Sequence, residues 1–165
     1  MSSNPDFFLS QTQIITIAII QEFAPTNPVY YEKLRERLEK IIEEEERRRI
    51  KDASYFNKLK AVYNEAINAD KERKKLGFST QFEFAVYELL LQSLKNDERA
   101  SRDITNAIFA KVKEEARIVG WKTKRSSEKK MSVAIWDVLS ENNKYPEDKV
   151  NELTMKVIDL AKKDL

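Results

Sequence analysis

An all-α fold, a single compact helical bundle of about six or seven helices, is predicted by three features of this 165-residue chain. Apolar residues recur at spacings of three and four over long stretches, the period of a helix with one buried face. Only two glycines and four prolines interrupt the sequence, too few for a series of tight turns or a long linker. Cap-forming residues fall where those periodic stretches begin.

The first element, residues 7–23, is apolar on all sides, with Phe7, Phe8, Leu9, Ile14, Ile15, Ile17, Ile19, Ile20 and Phe23. Isoleucine and threonine suit a strand or a packed interior. A helix is favoured over a strand, because a lone strand has no pairing partner in an otherwise helical chain. Residues 1–26 are therefore read as an apolar N-terminal segment packed on the bundle, and residues 27–165 as the helical domain.

Asn27-Pro28 supplies a cap and a first-turn proline for the second element. Leu34, Leu38, Ile41 and Ile42 form its apolar face. Its tail places acid before base in the i,i+4 pairs Glu43–Arg47, Glu44–Arg48 and Glu45–Arg49, a self-supporting solvated surface. A third helix begins near Asp52 and buries Tyr55, Phe56, Leu59, Val62, Tyr63, Ala66 and Ile67. Gly77 is its C-terminal cap, after the basic run 71–75 that the helix dipole favours there.

Ser79 is the next expected cap, opening a helix that buries Phe82, Ala85, Val86, Leu89 and Leu90, with Phe84 and Tyr87 available to widen the face. Asn96 or Asp97 starts a fifth helix, with Ile104, Ala107, Ile108, Val112 and Ala116 in period and Gly120 at or beyond its end. Ser126 or Ser127 caps a sixth, which buries Met131, Ala134, Ile135, Val138 and Leu139. The turn Tyr145-Pro146-Glu147-Asp148 then opens a last helix carrying Val150, Leu153, Val157, Leu160 and Ala161.

The chain has no histidine and no cysteine, and Gly77 and Gly120 lie far apart. That composition argues against a phosphate-cradling glycine loop, a His/Cys zinc site or a nucleophile–base pair. Glu83 and Glu88 lack the partner at i+3 or i+4 that a di-metal helical bundle uses. The chain is read as non-catalytic, with no cofactor and no metal of its own. Its length leaves room for one domain or for two small packed lobes. The longest apolar run, residues 14–20, is far below the roughly 20 residues a membrane span needs, so no membrane association and a cytoplasmic location are expected.

The formal net charge is only +2, so any polyanionic partner must be recognised locally. Residues 99–130 hold ten basic residues against four acids. Within them Arg117, Trp121, Lys122, Lys124, Arg125, Lys129 and Lys130 are candidate contacts to a partner or to DNA. Three readings stand for this basic turn: ordinary solvated surface, nucleic-acid backbone contact, or contact to an acidic protein surface. For Trp121 a plug of the core is favoured over base stacking or partner contact. Trp136 borders its helix's apolar stripe and joins the candidates, and Tyr30 and Tyr31 have the same border character; such aromatics suit a docking surface, but widening the intramolecular core is the commoner reading.

Three stretches carry a family resemblance. Ala116-Arg117-Ile118-Val119-Gly120-Trp121-Lys122, Ser127-Glu128-Lys129-Lys130-Met131 and Asn143-Lys144-Tyr145-Pro146-Glu147-Asp148-Lys149 together resemble the C-terminal signature of the restriction (motor) subunit of type I restriction enzymes. Upstream, Lys75-Leu76-Gly77-Phe78-Ser79 with Glu83-Phe84-Ala85-Val86-Tyr87, and Arg49-Ile50-Lys51-Asp52-Ala53-Ser54-Tyr55, agree with that family's pattern. The resemblance runs from about Tyr30 to Leu165. The chain departs from the pattern in its more basic stretch 122–127 and in Glu147, where a second proline is common.

The resemblance implies a helical, non-catalytic assembly domain that docks the subunit onto the methyltransferase core near DNA. It places the nuclease and the ATP- and Mg-dependent motor in upstream domains of the same subunit. Its implied partners are therefore the methyltransferase subunit and those upstream domains, with duplex DNA backbone contact as a further possibility. Two rival readings remain: a freestanding helical nucleic-acid-binding protein using residues 99–130, and a generic helical interaction scaffold.

Overall fold

The computed structural model describes the backbone of residues 5–47, 52–142 and 144–165, and the side chains of all of these except 5–10 and 52. Among the described residues there are eight α-helices and no strand, so the all-α expectation holds with one or two more helices than predicted. They group into two compact units, Met1–Phe78 and Ser79–Leu165.

In the first unit α1 (Pro5–Phe23), α2 (Pro28–Glu46) and α3 (Asp52–Ile67) pack against one another, and α4 (Ala69–Lys75) follows α3. The segment open to two readings is helical. Ile20 and Thr16 of α1 are buried, and Tyr55 of α3 donates its hydroxyl to Gln13 Oε1 at 2.6 Å. Asn27 caps α2 as expected, its Oδ1 accepting from the Tyr30 amide at 3.1 Å, with Pro28 in the first turn. Leu34, Leu38 and Ile41 are buried below it. Of the three acid–base pairs on the tail of α2, Glu43–Arg47 forms at 2.7 Å. Arg48 and Arg49, and with them the other two pairs, lie outside the described residues, as do Ile50, Lys51 and the side chains of Phe7, Phe8 and Leu9.

The expected third helix is broken at Asn68, which accounts for the additional element. Tyr30 and Tyr31 supply the physical reason. Both are buried, and their hydroxyls donate to the Glu65 and Ala66 carbonyls at 2.9 and 3.4 Å. Carbonyls beside a helix break need such donors. The two tyrosines are thus core residues at the α3–α4 junction, the commoner of the two readings of their border position. Ile67, placed in the buried stripe by period, is 48% exposed at this break. Gly77 ends α4 as expected. With φ +84° it permits the Phe78 amide to reach the Arg73 carbonyl (3.1 Å) and its own amide to reach that of Lys74 (3.0 Å), the paired bonds of a Schellman motif.

The second unit is a four-helix bundle. In it α5 (Gln81–Ser93) packs on α6 (Glu98–Val112), α6 on α7 (Arg125–Glu141), α7 on α8 (Glu147–Asp164), and α8 back on α5. Phe82, Leu90, Ile108, Met131, Ile135, Leu139, Leu153 and Val157 are almost fully buried in it. Every residue from 82 to 90 is buried, so α5 has no solvent-facing side over that stretch. Its cap is Thr80 rather than Ser79. Glu83 Oε2 accepts from the Thr80 amide at 2.8 Å while Thr80 Oγ1 accepts from the Glu83 amide at 3.2 Å, a capping box. Ser79 contributes its hydroxyl to the same carboxylate at 2.9 Å. Buried Glu83 is therefore a structural carboxylate.

Asp97 caps α6, accepting from the Ala100 amide at 3.0 Å. The helix stops at Val112, so Ala116 falls outside it. Ser101 and Thr105 share the buried face with Ile104 and Ile108, while Ala107 is exposed. Two short 3₁₀ turns, Glu115–Arg117 and Trp121–Thr123, lead into α7, with Gly120 at φ +74° between them. Neither expected serine caps α7. The helix begins at Arg125 with Lys124 in the cap position and no side-chain cap bond, Ser126 is exposed, and Ser127 is buried inside the first turn. Pro146 occupies the cap position of α8, and Glu147 and Asp148 fill its first turn as expected. Among the described residues no helix is long and apolar enough to cross a membrane, and no cluster of three or more His, Cys, Asp or Glu has metal-binding geometry.

Candidate interaction surface

The candidate residues of the basic turn converge in space because α6 ends early and the chain makes two tight turns before α7. Arg117, Lys122, Lys124, Arg125, Lys129 and Lys130 are all exposed there. Arg117 pairs with Glu114 at 3.3 Å, an exposed bridge of little stabilising value. Trp121 differs from its neighbours. It is 3% exposed, at the start of the second 3₁₀ turn and packed toward α7, where it closes the bundle's end and offers no face for a base.

Sequence periodicity did not find the apolar part of this turn. Ile118 and Val119 follow Arg117 directly, and the structure leaves them 39% and 91% exposed. An apolar apex amid cations is a feature of protein-contacting surfaces more than of phosphate-contacting ones. Two of the cations work against the fold. Lys124 and Arg125 stand at the N-terminus of α7, where the helix dipole favours acids, and cost a few tenths of a kcal/mol each. Glu128 is the only acid in that first turn.

A carboxylate lies beneath the turn. Burial pushes the Asp164 carboxyl up to about 6, against the pull of Lys163 and Lys122, and its Oδ2 is buried without a hydrogen-bond partner among the described residues. A carboxyl whose pKa is higher folded than unfolded favours the folded state when protonated. Its penalty is absent at about pH 3, grows between about pH 4 and 6, and is complete above. Asp164→Asn is expected to raise stability at pH 7 by on the order of 1 kcal/mol after allowance for partial solvent screening. The gain over the parent protein should vanish near pH 3. Urea melts of both proteins at pH 3, 5 and 7 check this; a constant difference across that range contradicts it.

Trp136 lies on the outer side of α7, 37% exposed. Its Nε1–H donates to Asn151 Oδ1 of α8 at 2.9 Å, which fixes the ring against the groove between the two helices. It lies six residues beyond Lys130, the last of the basic candidates. The candidate residues therefore divide into three: an exposed basic turn, a buried Trp121, and Trp136 beside a groove. Tyr145 of the turn before α8 is half-buried, and burial pushes its hydroxyl up to about 12.

A family model described as type I restriction enzyme HindI endonuclease subunit-like, C-terminal, matches residues 13–163 of the chain. No curated protein and no solved structure gives a match.

Proposed function

The chain belongs to the C-terminal family of HindI-like type I restriction enzyme endonuclease subunits, and from that premise we propose that it is the assembly domain of such a subunit. In this reading it takes no part in chemistry and docks the subunit onto the methyltransferase core close to DNA. The ATP- and Mg-dependent motor and the nuclease would lie in upstream domains of the same subunit, in the cytoplasm. The observation that carries the docking role is the exposed basic turn with an apolar apex, two of whose cations, Lys124 and Arg125, sit where they disfavour the fold. Residues retained against stability are characteristic of contact surfaces.

Burial of Trp121 removes the aromatic platform that base stacking would use, which leaves a freestanding nucleic-acid binder only backbone contact through the cations. The test is binding of the full chain to a labelled duplex and to the methyltransferase of its own system, separately and together, across a salt series. The expected result is duplex binding weaker than about 10 μM alone, with a stable complex once methyltransferase is added. Tight, steeply salt-dependent duplex binding that is indifferent to methyltransferase would overturn the proposal in favour of the freestanding binder.

A further inference from the structure

The second unit carries a groove of about 480 Å³ between α7 and α8. Val133, Trp136, Met155 and Ile158 form its apolar lining, with Glu128 and Asp159 as the charged groups. Val133 is 52% and Met155 71% exposed, so two large apolar side chains flank a concave apolar surface in water. The walls are fixed: Trp136 is tied to Asn151, and Lys162 to Glu128 at 3.0 Å.

We propose that this groove docks an amphipathic helix of a partner protein, one whose apolar stripe is flanked by basic residues. The pairings 128–162 and 136–151 show that α7 and α8 run antiparallel. The channel between two such helices receives a third by ridges-into-grooves packing. The stretch from Glu128 to Trp136 is about 12 Å, or roughly two turns, the span of the i, i+4, i+7 anchors in helix-in-groove recognition. The charge of the partner follows from the lining. Both titratable groups in it are acidic. Glu128 is already neutralised by Lys162, whereas no ion pair of the described residues engages Asp159. A basic side chain beside the incoming apolar stripe would pair with Asp159. This surface adjoins the basic turn at Glu128 and extends from it along α7 and α8, and testing it needs neither methyltransferase nor DNA.

The probe is a fluorescein-labelled 18-residue peptide with leucines at helical spacing and lysines on both flanks. Its controls are the same peptide with glutamates for lysines and a scrambled sequence of the lysine form. Anisotropy titrations with the full chain are expected to show the lysine-flanked peptide binding at least about tenfold tighter than either control. Met155→Glu should weaken that binding by about tenfold or more, with Met155→Ser acting in the same direction without added charge. Asp159→Lys should transfer the preference to the glutamate-flanked peptide. Equal binding of all three peptides, or indifference to the Met155 and Asp159 substitutions, overturns the proposal. So does sedimentation showing that the chain dimerises and that Met155→Glu returns it to monomer, since the occupant would then be a second copy.

Discussion

Trp121→Ala is expected to lower the unfolding free energy of the second unit by about 3–5 kcal/mol. The side chain is 3% exposed, and removing a buried indole loses both its transfer free energy and the packing of the walls around the cavity left behind. The turn that holds it has little else to retain its position, since Ile118, Val119 and Gly120 are exposed. Domains of this kind are stable by only about 5–15 kcal/mol, so the variant should lie near its folding limit. Urea denaturation followed by circular dichroism measures the change. Trp121→Phe should restore most of the loss, because it refills much of the volume without needing a partner for an indole N–H. An unchanged midpoint for Trp121→Ala, accompanied by lost partner binding, would instead make Trp121 a contact residue.

Reversing Lys124, Arg125, Lys129 and Lys130 together to glutamate should have the opposite profile. Fold stability is expected to stay within about 1 kcal/mol of the parent protein. All four side chains are exposed, and exposed charges contribute little to folding. At the first two positions acids are better matched to the N-terminus of α7 than the cations they replace. On the proposed docking role, assembly with methyltransferase should weaken by at least about tenfold, because reversing the charge of this surface turns attraction to an acidic partner face into repulsion. Co-sedimentation alongside thermal melts gives both readouts. Retained assembly with an intact fold would show that these four cations are plain solvated surface, and a collapsed fold would show that the turn is structural.

Much of the fold was legible from local chemistry. Asn27-Pro28 marked the start of α2 because an Asx side chain and a fixed proline φ act within one turn of helix. Gly77 marked the end of α4 because a left-handed residue is needed there. The N-terminal segment was resolved as helix by what surrounded it, since a strand had no partner. The errors have different causes, some distant and some local. At Asn68 the helix breaks where tyrosine hydroxyls from α2 take carbonyls of α3, a contact 35 residues away in sequence. Thr80 displaced Ser79 as a cap because Glu83, three residues on, completes the box with threonine. The end of α5 carries Lys95 and Asn96 at positive φ in place of a glycine, so no glycine announced it.

The candidate surface was legible in part. The cluster of cations was visible as composition, because charge bias survives without knowledge of the fold. That Trp121 plugs the core was legible as the favoured reading of a tryptophan flanking a bundle turn, and its 3% exposure agrees; that Trp136 borders a groove was not, because only the packing of α7 on α8 makes one. Val133 and Met155 look in sequence like ordinary helix residues; what makes them a surface is that α7 and α8 lie side by side. By itself, then, the sequence determined the helical class, the position of most helix starts and ends and the family, because each depends on interactions within a few residues or on the linear pattern. The tertiary structure alone decided the break at Asn68, the exposure of Ile118 and Val119 and the groove beside Trp136, because each depends on which distant side chains the packing brings together.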